Sequence, residues 1–148
     1  MALDANAELS IKIHLTTQIE QDGQFEQHVF DVTGQLIRMG TTLYLRYHEM
    51  NTETSAAVPV TLKLQEDGLI ILTRGQDETR LQLRFALAHE IETVYQTPYG
   101  NVPIITRTTM MKVRLQNEPT TGEIALDYVL LSSHQQLGKY QLRLIFQQ

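Results

Sequence analysis

Residues 58–74, VPVTLKLQEDGLIILTR, carry the clearest structural signal in this chain. Apolar residues occupy every second position in both halves of the stretch, and this period of two sends successive side chains to opposite faces of a β-strand. Asp67-Gly68 lies between the halves and is typical of a type I′ turn, whose two central residues both have positive φ. The stretch therefore predicts two antiparallel strands joined as a β-hairpin.

The same alternation recurs along most of the chain. Further extended segments are predicted at residues 11–16, 24–39, 43–48, 81–87, 92–97, 102–106, 110–115, 123–131 and 139–146. Within the second of these segments we expect an interruption or bulge near Thr33-Gly34. Residues 86–92 contain good helix formers, so a short helical turn is an alternative to a strand there.

About ten short strands joined by short connections leave no room for crossover helices, which disfavours a parallel α/β fold. A sandwich and a barrel both fit this spacing. We favour the barrel because sequential short connections produce an up-and-down meander, and closure removes the exposed strand edges. We therefore expect one all-β domain over residues 1–148, an antiparallel up-and-down β-barrel of about ten strands.

Composition narrows the class of protein. The 148 residues include no cysteine, which excludes disulfides, thiolate nucleophiles and cysteine-ligated metals and agrees with a reducing cytoplasm. The net charge of −5 repels a phosphate backbone at long range. The apolar runs are too short to span a membrane as helices. We expect a cytoplasmic protein with neither nucleic acid nor a membrane as its partner.

Several short strings, taken in order, resemble the YwiB-like family of small bacterial β-barrel proteins. They are LYLRY at residues 43–47, TLKL at 61–64, IILTRG at 70–75, YQTPYG at 95–100 and GEIALDY at 122–128. The resemblance covers nearly the whole chain. It implies a calycin-like, lipocalin-related barrel and a family whose biochemical role is uncharacterised. True lipocalins have a Gly-x-Trp signature, which a chain without tryptophan lacks, so a lipocalin's transport role is not carried over.

No motif for catalysis or for a cofactor emerges. The five histidines lie far apart, without the spacing of a metal site; they are His14, His28, His48, His89 and His134. Ser132-Ser133-His134 lies beside a predicted turn and lacks the strand-turn-helix context of a nucleophile elbow. Glycine-rich nucleotide motifs are absent as well. We therefore expect no catalytic residue, no metal and no cofactor, and we rank an enzyme third among the possible functions.

Two charged residues fall on predicted inward faces. By alternation Glu49 shares a face with Tyr47, and Arg74 shares a face with Leu72. An isolated buried charge is costly, so we hypothesise that Glu49 and Arg74 interact inside the barrel or at its mouth. The alternative is that each lies separately at a strand end, where the inward face meets solvent.

The barrel leads to two functional hypotheses. More than eight strands can enclose an interior that side chains do not fill, so the first is a binding barrel for a small apolar or amphipathic molecule. Its expected contacts are Tyr47, Glu49, Arg74, Tyr95, Tyr128 and Tyr140, although a core ring is the commoner role for tyrosines such as the last three. The second is a filled barrel that binds other proteins or forms a homo-oligomer through apolar residues on its outer face. Those residues are Ile71, Ile105, Val129 and Ile145.

Overall fold

Ten β-strands make up most of the computed structural model, which describes residues 8–50, 56–76, 78–133 and 135–148. They are β1 (Glu8–Gln21), β2 (Gln24–Met39), β3 (Thr42–Met50), β4 (Ala57–Leu64), β5 (Ile70–Gln76), β6 (Thr79–Phe85), β7 (Glu90–Thr97), β8 (Gly100–Gln116), β9 (Thr121–Ser132) and β10 (Gln135–Gln147). The described residues contain no helix long and apolar enough to span a membrane.

Each strand lies antiparallel beside its neighbours in sequence, and β1 pairs with β10 to close the barrel. The predicted ten-stranded antiparallel up-and-down barrel is thereby confirmed. Short connections cause this order, because a tight turn can only place the next strand directly beside the previous one.

The turns differ in detail from the prediction. The hairpin of β4 and β5 is confirmed. The predicted type I′ turn is wrong, because of Asp67 and Gly68 only Gly68 has positive φ, at 95°. The connection is longer than two residues, and the carboxylate of Asp67 accepts a hydrogen bond from the Leu69 N–H at 3.0 Å. A two-residue turn with positive φ at both positions instead joins β1 to β2, at Asp22 (51°) and Gly23 (76°).

Two predicted segments, 102–106 and 110–115, belong to the single strand β8. Its pairing with β9 shifts register between Thr108 and Met110, so one residue is left over as a β-bulge. The bulge reverses which side chains face inward, and this change of phase looks like a strand break in the sequence. The bulge expected near Thr33-Gly34 is absent, because β2 pairs with β1 without interruption. The opposite edge of β2 changes at this point instead, because β3 pairs with β2 only from Gln35 onward.

Between β6 and β7 the wall is only weakly joined. The single register pair is Arg80 with Gln96. A β-turn precedes β7, in which the His89 N–H donates to the carbonyl of Ala86 at 3.0 Å; the alternative of a helical turn is therefore wrong. A second hydrogen bond explains why β7 pairs so little with β6. The Ala88 N–H donates to the Thr108 carbonyl at 3.1 Å and holds the segment between β6 and β7 against β8.

One end of the barrel is packed solid. Most of the largest fully buried side chains lie there, namely Phe85, Phe146, Ile11, Ile13, Leu36, Leu45, Leu62, Ile70, Ile124, Leu126 and Leu144. Gly122 makes room for the largest of them, because a Cβ at that position would collide with the ring of Phe146. This apolar plug closes the barrel at the end that carries the β2–β3, β4–β5 and β8–β9 connections.

Candidate functional site

The opposite end of the barrel is hollow. A cavity of about 290 Å³ lies at the end of the barrel where β1, β3, β5 and β9 end. Its wall is mostly apolar and is built by Leu15, Thr17, Ile19, Val60, Leu72, Leu81, Leu83, Leu130 and Leu142, and its polar side chains are Tyr47, Glu49, Arg74, Tyr128 and Tyr140. The inward positions of seven strands thus converge on one space.

An ion pair lies across the mouth of this cavity. Oε2 of Glu49 is 2.9 Å from Nη2 of Arg74, and the side chain of Glu49 is 10% exposed whereas that of Arg74 is 49% exposed. The two residues stand on β3 and β5, with β4 between them. Burial raises the pKa of the Glu49 carboxyl group, while Arg74 and, more weakly, His28 oppose that rise. Arg74 therefore covers a carboxylate that has lost most of its water.

Two buried phenols lie beside the ion pair. Tyr47 is 3% exposed and Tyr128 is 6% exposed, and within the described ranges neither hydroxyl makes a hydrogen bond. Burial raises the pKa of both phenols above the usual range, and the negative charge of Glu49 adds to the rise for Tyr47. Both hydroxyls therefore keep their protons and remain available as donors.

Ring stacking fixes one of these phenols in place. The ring of Tyr128 lies parallel to that of Tyr140, with centroids 5.1 Å apart and an interplanar angle of 4°. Phe85 meets the same ring edge-on at 4.7 Å. The hydroxyl of Tyr140 accepts a hydrogen bond from Nε2 of Gln21 at 3.3 Å. Tyr128 is thus held between a packed core ring and a ring at the mouth.

The structure gathers five of the six predicted site residues around one cavity and brings Glu49 and Arg74 into contact. Tyr95 lies apart from them, in an adjoining pocket of about 280 Å³ that shares Arg74 and Leu81 with the cavity. The prediction missed Thr17 and Ile19, which line the cavity from the far end of β1. Continuing the alternation of residues 11–16 by two more inward positions would have found both.

Other candidate features are dispersed over the surface. Nδ1 of His14 lies 2.7 Å from Asp31, and Nε2 of His28 lies 3.4 Å from Glu26; His134 falls outside the described residues. Across residues 8–50, 56–76, 78–133 and 135–148, no group of three or more His, Asp and Glu side chains could hold a metal ion.

The predicted outward apolar residues do not form one patch. Ile145 is 54% exposed, whereas Val129 is 9% exposed, and Ile71 and Ile105 are half-buried. The neighbours of Val129 in the register are Arg107 and Lys139, whose long side chains can cover an apolar residue with their methylene groups. Ile145 lies between His14 and Glu123.

Comparisons with known proteins agree with this architecture. A family model for DUF1934, a domain of unknown function, matches residues 13–144. The crystal structure of the ywiB protein from Bacillus subtilis is similar, with a TM-score of 0.79 at 21% sequence identity, over 95% of this chain and 92% of that one. A search of curated proteins finds no match. The expected YwiB-like family and its barrel are confirmed, and identity this low carries the fold alone.

Proposed function

This chain belongs to the DUF1934 family, whose function is unknown, and we propose that it is a non-catalytic barrel that binds one small apolar or amphipathic molecule in its interior. The observation that carries the proposal is the cavity of about 290 Å³ at the open end. Protein interiors are close-packed and rarely contain voids much larger than a water molecule. A cavity of this size, open to solvent at one end, provides a place for a small ligand.

The chemistry of the wall favours an apolar or amphipathic occupant. Liquid water takes up roughly 30 Å³ per molecule, so the cavity has room for a ligand of about ten non-hydrogen atoms. Six leucines line the cavity, and replacing the water against them with a hydrocarbon chain is favourable. The polar side chains are confined to one cluster, as is usual in sites where a few polar groups fix the orientation of a ligand.

Native mass spectrometry tests this proposal directly. Protein purified without denaturation should carry a bound small molecule or take up straight-chain probes of about eight carbons, and the same probes should raise its melting temperature. Leu142→Phe places a ring in the cavity and should abolish both effects. Ile145→Phe adds the same bulk on the outer face of β10 and should leave both intact. An empty wild-type protein that no probe stabilises contradicts the proposal.

A second candidate role, association with another protein or a second copy, is favoured by a strand edge. Among the described residues, the first part of β2 pairs with β1 alone, because pairing with β3 begins at Gln35. The side chains of Phe25 and Val29 on this segment are 75% and 54% exposed. An unpaired edge is a template for another strand. Light scattering should then detect a dimer that Val29→Lys dissociates, and a monomer at all concentrations contradicts this role.

We also propose that the barrel is calycin-like and that the protein is cytoplasmic. The first proposal is supported by the ten-stranded meander with a cavity at one end, and the second by the absence of cysteine. Cell fractionation with an antibody against the chain tests the location.

A further inference from the structure

The polar cluster at the mouth has more donors than acceptors. Arg74 offers five N–H groups, and Glu49 is the carboxylate in contact with its guanidinium. The hydroxyls of Tyr47 and Tyr128 add two donors that are unpaired among the described residues. Both tyrosines are more than nine-tenths buried and line the cavity. Both hydroxyl oxygens reach the cavity surface and are not sealed in the core, so an acceptor placed in the cavity pairs with them and with Arg74.

The charge of that acceptor follows from the ion pair. Arg74 is half-exposed and, among the described residues, pairs with Glu49, and planar guanidinium groups pair best with carboxylates. A cationic ligand would need Glu49, which already lies under Arg74, and would meet a guanidinium on its way in. A neutral ligand would satisfy the hydroxyls but would gain less from the arginine, because its hydrogen bonds to the guanidinium lack the opposite charge.

A carboxylate that enters this site meets a like charge. Two carboxylates sharing one guanidinium in a poorly hydrated site repel each other, so one of them takes up a proton. Burial already raises the pKa of Glu49. The groups that face it are Tyr47 on its own strand, Arg74 on β5, Tyr128 on β9 and His28 on β2. His28 is half-exposed and lies 3.4 Å from Glu26, whereas Glu49 is the carboxyl group that shares Arg74 with the ligand and therefore accepts the proton.

Given that the cavity binds a ligand, as proposed above, we propose that the ligand is a short-chain monocarboxylate whose carboxylate replaces Glu49 on Arg74, while Glu49 takes up one proton from solvent. The protonated carboxyl group of Glu49 then becomes a further hydrogen-bond donor to the ligand. The charge of the site is unchanged by the exchange, because one anion enters and one is neutralised. The apolar chain extends toward Leu72, Leu130 and Leu142.

Isothermal titration calorimetry with three probes that share a chain tests this inference. Octanoate, octanol and octylamine are titrated into the wild type, Arg74→Gln, Glu49→Gln and the control Arg80→Gln, which changes an exposed arginine on β6. The wild type and the control should bind octanoate at least tenfold more tightly than octanol. Arg74→Gln should bring that ratio close to one, because the counter-charge is lost.

Proton uptake gives the second readout. Titrations in buffers with different ionisation heats should reveal about one proton taken up per octanoate by the wild type and none by Glu49→Gln, whose amide mimics the protonated acid. Wild-type affinity for octanoate should rise by up to about tenfold per unit as the pH falls from 8 to 6, because one proton is linked to binding. In Glu49→Gln the affinity should be at least as high and independent of pH.

The possible outcomes distinguish failure of the carboxylate exchange from failure of the proposed ligand-binding barrel. If octanol or octylamine binds as tightly as octanoate, or if Glu49→Gln still takes up a proton, the carboxylate exchange is wrong and the binding barrel stands. If none of the three probes binds and the protein is purified empty, both are wrong.

Discussion

Glu49 and Arg74 meet at a distance of 2.9 Å across the mouth of the barrel, although β4 separates the strands that carry them. A direct contact over an intervening strand is possible because both side chains point into the curved interior, where their ends converge. The carboxylate is largely buried and the guanidinium is half-exposed. The pair thus marks the boundary between the apolar interior and solvent.

This pair predicts an unusual pH dependence of stability. The pKa of Glu49 is raised in the folded protein, so the folded state binds a proton more tightly than the unfolded state does. Its contribution to the free energy of unfolding should therefore increase as the pH falls from neutral through the folded pKa, and level off near the unfolded value of about 4.3. Urea unfolding of the wild type and Glu49→Gln between pH 5 and 8 isolates the contribution. A difference between them that does not change with pH contradicts it.

Removing the unpaired hydroxyls should not harm the fold. Tyr47→Phe and Tyr128→Phe each delete a buried donor that has no partner among the described residues, while the ring contacts remain. We expect the free energy of unfolding to stay within about 1 kcal/mol of the wild type, because no hydrogen bond within the described residues is lost. Chemical denaturation measures this. A clearly larger loss would mean that the hydroxyls have a structural partner.

Two leucines on β10 should differ in what their truncation costs. Leu144 is 0% exposed and belongs to the packed end, so Leu144→Ala should lower the free energy of unfolding by about 2–5 kcal/mol. Leu142 lines the cavity and already lacks neighbours on one side. Leu142→Ala should therefore cost about 1–2 kcal/mol less than Leu144→Ala. Equal losses in urea titrations would indicate that the open end is filled in solution.

Gly122 should be intolerant of even a methyl group. A Cβ at this position would overlap the ring of Phe146, so Gly122→Ala should destabilise the protein by about 1–3 kcal/mol through overpacking. In the background of Phe146→Leu, the same substitution should cost much less, because the ring is gone. A double-mutant cycle measures the coupling, and additive effects would contradict the steric explanation.

Most of the strand arrangement could be predicted from alternation. The errors occur where the same local sequence pattern is compatible with two different backbone conformations. The bulge in β8 shifts the inward phase after Thr108, which made one strand look like two. Asp67-Gly68 and Asp22-Gly23 are the same dipeptide, yet the second has positive φ at both residues and the first only at Gly68. The length of the loop that each pair occupies, and not the pair alone, selects the turn type.

The candidate site was predictable to the same degree. Alternation placed Glu49, Arg74 and Tyr128 on inward faces, and they do line the interior. Tyr95 is also half-buried, but β7 diverges from β6 after a single register pair, and this divergence moves the ring into the neighbouring pocket. No local pattern in β7 encodes its distance from β6.

The sequence by itself determined most of the strands, their antiparallel order and, apart from the bulge in β8, the face on which the side chains lie, because these depend on the two-residue period of the backbone and on short connections. The tertiary structure decided which end of the barrel is solid and which is hollow, and that Glu49 meets Arg74. Those outcomes depend on the summed volumes of side chains from all strands at each level of the barrel, and on the curvature that brings non-neighbouring strands together. Neither quantity is a property of any single segment.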